Sequence, residues 1–141
     1  MPNSSKDKLQ APIKDRPNDQ MLGQNIADTS WQRRAETVLA TTQQANQTIT
    51  YAELADAASI PNPHRIHKLT TWLENSMRRD HAAGEPLRAA LVISRKRGGL
   101  PAPGFFILCG ELGLYQGAVS GQHAAQFHKT VINNLRQNSG L

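Results

Sequence analysis

Proline and glycine limit how far any regular element of this chain can run. Pro61 and Pro63 bound one side of a long uninterrupted stretch, and Gly84 and Pro86 bound the other. Beyond it Gly98, Gly99, Pro101, Pro103, Gly104, Gly110, Gly113 and Gly117 follow at close intervals. Proline lacks the backbone donor and glycine carries a large entropic penalty when ordered, so neither favours a helix interior or a central strand. Long helices are therefore expected only before Asn46, from about Pro63 to Asp80, and from about Gly121 to Arg136. The region between Gly84 and Gly121 has to be assembled from short pieces.

In the first long segment Trp31, Ala35, Val38, Leu39 and Thr42 recur at helical spacing, with Ser30 as N-cap and Asn46 at the exit. Thr48-Ile49 suits a short strand. Thr50-Tyr51-Ala52-Glu53 then has the form of a capping box, since Glu53 at the third position can reach back to the cap amide. That helix must end near Ala58, because two prolines follow.

Asn62-Pro63 reads as an N-cap with proline at the first helical position. From there Ile66, Leu69, Thr70, Leu73 and Met77 form one stripe, while His64, Arg65, Lys68, Thr71, Asn75 and Arg78 lie off it. Trp72 either closes the edge of the core or stands out as an anchor. Leu87–Ser94 alternates apolar positions in the manner of a strand, with Val92 and Ile93 favouring an extended chain. Arg95-Lys96-Arg97-Gly98-Gly99 is a basic turn, and the apolar set Phe105, Phe106, Leu108, Cys109 and Leu112 suits a returning strand or a short helix, with a strand entering a helix preferred. The last helix should bury Ala124, Phe127, His128, Val131 and Leu135.

Residues 1–28 contain Pro2, Pro12 and Pro17, many polar residues and no apolar period, so a disordered tail is expected there. The remainder, 29–141, is expected to be one α+β domain of winged-helix-like plan, with helices packed on a small β-hairpin and an extra C-terminal helix. Apolar residues make up 38% of the chain, enough for one packed core. No apolar run approaches the roughly 20 residues of a membrane span, and no charged start leads into an apolar stretch. The expected setting is the cytoplasm, without a membrane partner. A lone cysteine, Cys109, agrees with a reducing compartment.

The net charge of +5 is localised. Four basic and four acidic residues cancel between Met1 and Asp28, whereas eight basic residues face three acidic ones between Pro61 and Pro101. Clustered positive charge is the footprint of a polyanion partner, although a solvated basic face is the plainer alternative. In a winged helix the longer helix enters a groove and the hairpin tip lies along phosphates. The expected contacts are His64, Arg65, His67, Lys68 and Thr71 from the helix, and Arg95, Lys96 and Arg97 from the turn. The expected partner is nucleic acid, with duplex DNA favoured.

The stretch Gln47 to Phe106 is similar to the winged-helix domain of alkylguanine DNA alkyltransferases and alkyltransferase-like proteins. Ile49-Thr50-Tyr51-Ala52-Glu53-Leu54-Ala55 resembles the segment opening their helix-turn-helix, and Gly98-Gly99 with Gly104 resembles their glycine-bearing wing. The resemblance implies a winged-helix fold facing DNA. Where that family places proline, a cysteine or its replacement, histidine and arginine, this chain reads Ala90-Leu91-Val92-Ile93-Ser94-Arg95, so alkyl transfer is not implied.

Nothing else suggests catalysis. Cys109 sits inside an apolar run, where a thiol has no reason to ionise. His64 and His67 have a spacing that could serve a metal but lack a neighbouring carboxylate or thiolate to complete a set, so neither metal nor cofactor is expected. The main rival to nucleic-acid binding is protein docking through the proline- and phenylalanine-rich strip Leu100–Phe106.

Overall fold

The computed structural model describes the backbone of residues 18–139 and the side chains of residues 30–137. Its elements are α1 (Asn18–Gln44), β1 (Ile49–Thr50), α2 (Tyr51–Ala57), α3 (Arg65–Ala82), β2 (Val92–Ile93), α4 (Pro103–Glu111) and α5 (Gln122–Ser139). Single 3-10 turns occupy Arg88–Leu91 and Arg95–Arg97. The described chain is thus mainly helical, with one small two-stranded sheet. Of the expected tail, residues 1–17 lie outside the described residues. Asn18 to Thr29 are helical, so Ser30 lies inside α1 rather than capping it.

The capping box forms as its residues require. The Glu53 amide donates to Thr50 Oγ1 at 3.1 Å, and the Thr50 amide donates to Glu53 Oε1 at 3.0 Å. Two orphan donors are satisfied reciprocally. Helix α3 departs from expectation at its start. His64 is left-handed at φ 60, which no residue of a right-handed helix adopts, so α3 begins at Arg65; the Asn62–Pro63 peptide before it is cis.

The buried face of α3 is also turned from the expected stripe. Leu69, Trp72, Leu73, Ser76, Met77 and Asp80 are buried, while Ile66 is 45% exposed. This face packs on α2, α4 and the 3-10 turn at Arg88–Leu91, and on its flank Trp31 of α1 meets Trp72 edge-on with ring centroids 5.9 Å apart. Trp72 therefore closes the core rather than standing out from it.

Leu87–Ser94 is the largest revision. Only Val92 and Ile93 are strand, pairing in parallel with Ile49 and Thr50. Ahead of them Ala89, Ala90 and Leu91 coil into a 3-10 turn and are all buried. This turn contacts α1, α3 and α5, so it has no half-exposed face on which a period of two could operate. The expected hairpin reduces to one antiparallel bridge, Ser94 to Leu100, which closes the basic turn. Gly98 and Gly99 take φ of 69 and 87 there, a region that glycine enters without the usual Cβ clash.

The run after Pro101 is helical from Pro103, without a strand. Phe106, Tyr115 and Phe127 cluster, with ring centroids 5.6 and 4.7 Å from Tyr115. Cys109 is buried in this layer, and desolvation pushes its thiol up to about 12. On α5, His128 is buried with Nε2 2.8 Å from the Ala90 carbonyl oxygen. Burial lowers its pKa from the ordinary value, and the Ala90 contact offsets part of that shift.

Two outcomes follow from these buried groups. Cys109 should resist a thiol reagent at pH 8 in the native protein and react promptly once denatured; equal rates would contradict its burial. The unfolded chain binds a proton at His128 more readily than the folded one, so wild-type stability should fall as pH drops below about 6.5. In denaturant titrations the stability gap between wild type and His128→Gln should narrow from pH 7 to pH 5. A constant gap would show that His128 is not held neutral.

Candidate nucleic-acid interface

The positions expected to touch nucleic acid divide into two groups once their partners are known. Arg65 faces inward. Its Nε donates to the Ile60 carbonyl at 2.7 Å, Nη2 to the Ala55 carbonyl at 2.9 Å, and Nη1 to Asp56 Oδ1 at 3.0 Å. The guanidinium fork thereby satisfies carbonyls at the end of α2 and fixes the turn into α3. Lys68 Nζ donates to the Pro61 carbonyl at 3.1 Å, fastening the same turn.

Arg97 is likewise structural. Its Nε donates to the Pro101 carbonyl at 2.8 Å and its Nη2 to the Val119 carbonyl, tying the basic turn to the loop before α5. Arg95 pairs with Glu53 at 3.1 Å, but its side chain is 77% exposed, so solvent screens the pair and the guanidinium can exchange partners. Lys96 is exposed and has no side-chain partner among the described residues. The Tyr51 hydroxyl accepts from the Ala102 amide at 2.8 Å, which holds the exit of the turn against the start of α2. Burial raises the pKa of that phenol, so it remains protonated.

His64, His67 and Thr71 are exposed, and their side chains have no partner among the described residues. The same outer ridge of α3 continues through Asn75 to Arg78 and Arg79, all exposed. Arg78 faces Glu111 of α4 at 3.6 Å, whereas Asn75 and Arg79 carry no side-chain partner among the described residues. Asn75 and Arg79 were not among the expected contacts. Their signal was the helical step of four residues from Thr71 to Asn75 to Arg79.

A shallow concavity of about 360 Å³ lies beside the ridge, lined by Trp31, Gln32, His67, Lys68, Thr71, Trp72 and Asn75. Across α3, the segment Ala102–Gly104 borders Thr70 and Glu74 in a smaller crevice. Gly104 permits that approach, because a Cβ there would stand 3.0 Å from the Glu74 carboxylate. No group of three or more metal-ligating side chains occurs among the described residues, and no described helix is long and apolar enough to cross a membrane.

Arg65→Ala should destabilise the fold by about 1–2 kcal/mol, since it removes the donor to the Ile60 carbonyl, while the Ala55 carbonyl keeps the Ile60 amide and Asp56 is exposed to solvent. Lysine cannot supply the same three-way fork, so Arg65→Lys should recover only part of the loss in a denaturant melt. Full stability of the alanine variant would show that the guanidinium does not brace this turn. No family model, curated protein or solved structure matches this chain.

Proposed function

We propose that this chain is a non-enzymatic duplex-DNA-binding module in which α2, α3 and the basic turn act together as a winged-helix-like unit. The observation that carries this reading is the outer ridge of α3. From His64 to Arg79 it presents polar and basic side chains to solvent; Glu74, the acidic residue within that span, is turned toward α4, and Glu111 of α4 faces Arg78. A helix with such a face suits a nucleic-acid groove, where polar side chains reach base edges and cations reach phosphates.

The phosphate contacts of the turn fall to Arg95 and Lys96, because Arg97 is engaged by carbonyls. The rival reading, protein docking through Leu100–Phe106, has less support. Pro101, Phe105 and Phe106 are buried, so the strip does not form a continuous contact patch. Burial pushes the Cys109 thiol up to about 12, so this cysteine is not a nucleophile at neutral pH.

The test is a salt series on one duplex probe with wild type and an Arg95→Ala/Lys96→Ala variant. Each lost phosphate contact removes about 0.9 from the slope of log affinity against log salt. The double variant should therefore bind more weakly and flatten the slope by about 1–2 units. Equal slopes would show that the turn does not touch phosphate. Absence of wild-type binding at low salt would defeat the reading.

A further inference from the structure

The ridge of α3 is not uniform along its length. His64 and His67 stand at its N-terminal end, and Arg78 and Arg79 at its C-terminal end. Between these ends its fully exposed positions are Thr71 and Asn75, both short, neutral and without side-chain partners among the described residues. Lys68, one turn before Thr71, is held by the Pro61 carbonyl at 3.1 Å.

A surface that only slides on phosphates has no need for a neutral centre, since cations along its whole length would bind better. A reading helix needs a different layout. Its centre lies deepest in the groove, where base edges offer paired donors and acceptors, and its ends pass the phosphate walls. From His67 to Arg78 the helix advances roughly 17 Å at 1.5 Å per residue. The major groove is about 12 Å wide, so a helix crossing it would bring both ends of the ridge to the walls.

We infer that Asn75 and Thr71 are the base-reading residues of this protein, with Asn75 selecting adenine in the major groove and Thr71 packing its methyl group on a nearby thymine. This rests on the duplex-DNA reading above. The asparagine amide offers one acceptor and one donor side by side, complementary to adenine N6 and N7. The two residues are four apart, an advance of about 6 Å, comparable with two base-pair steps of about 3.4 Å each. The concavity beside them, floored by Trp31 and Trp72, leaves room next to Asn75 for a base edge or backbone to approach. Arg65, expected from the sequence to read bases, is excluded from that role by its three internal bonds.

The experiment is enrichment of bound sequences from a duplex pool randomised over a central window, using the full chain, Asn75→Ala and Asn75→Gln. Circular dichroism first establishes that each variant is folded. Wild type should enrich an adenine at one fixed position by roughly 5- to 150-fold over the other bases, the usual discrimination of a bidentate pair. Asn75→Ala should lose that preference at this position while keeping its salt dependence, and Asn75→Gln should restore part of it. If wild type binds with a steep salt dependence but enriches no base, this inference fails and the duplex-binding reading stands. If Asn75→Ala retains the adenine preference, the inference is likewise wrong. If wild type binds no duplex at low salt, both fall together.

Discussion

Helix α2 has only seven residues, too few to persist without tertiary support, and Arg65 supplies much of that support at its open end. One guanidinium bridges the Ala55 and Ile60 carbonyls and the Asp56 carboxylate, tying the end of α2 and the turn after it to the first turn of α3. The direction in which α3 leaves that turn determines which of its faces meets Trp31 and which becomes the outer ridge. The candidate interface therefore depends on a residue that does not belong to it.

The same use of cations recurs where regular structure is scarce. From Gly84 to Gly121 the described chain contains a two-residue strand, two 3-10 turns and one helix of nine residues, which leaves many carbonyls outside any ladder. Arg97 serves Pro101 and Val119 there, and in the turn after α2 Arg34 donates to the Ala58 carbonyl at 2.7 Å. Asp80, buried, accepts from the Arg88 amide at 3.1 Å and faces the Arg88 guanidinium at 3.5 Å. Arginine suits this work because its donors are fixed in a fork and it never loses its charge. Much of the charge cluster that marked a polyanion footprint is thus engaged within the fold, and the exposed cations of that cluster sit at Lys96, Arg95 and the far end of α3.

Several elements were legible from local chemistry. The capping box at Thr50 and Glu53, the long helices around Leu39, Leu69 and Leu135, and the turn at Gly98-Gly99 each arise from interactions between residues near in sequence. Burial of Cys109 followed from its apolar neighbours. The candidate site was legible in part: His64, His67, Thr71 and Lys96 face solvent as expected, whereas Arg65, Lys68 and Arg97 are turned to carbonyls. Composition and spacing cannot separate a solvent-facing arginine from a bracing one, because the two differ only in which distant acceptor lies within reach.

Taken alone, the amino-acid sequence determined the start of α2, where the long helices must stop and which segments must stay short, since capping, proline and glycine act over three or four residues. Tertiary structure decided the rest. Parallel pairing of Ile49 with Val92 joins strands more than forty residues apart, and nothing local encodes the partner. The 3-10 turn at Arg88–Leu91 exists because three helices surround it and remove the half-exposed face that a strand pattern presupposes. The rotation of α3 was set by its packing on α2, α4 and that 3-10 turn, with Trp31 of α1 closing the flank at Trp72. That rotation buries Ser76 and Asp80, exposes Ile66, and leaves Thr71 and Asn75 facing outward, because a helix can turn only one face to its neighbour at a time.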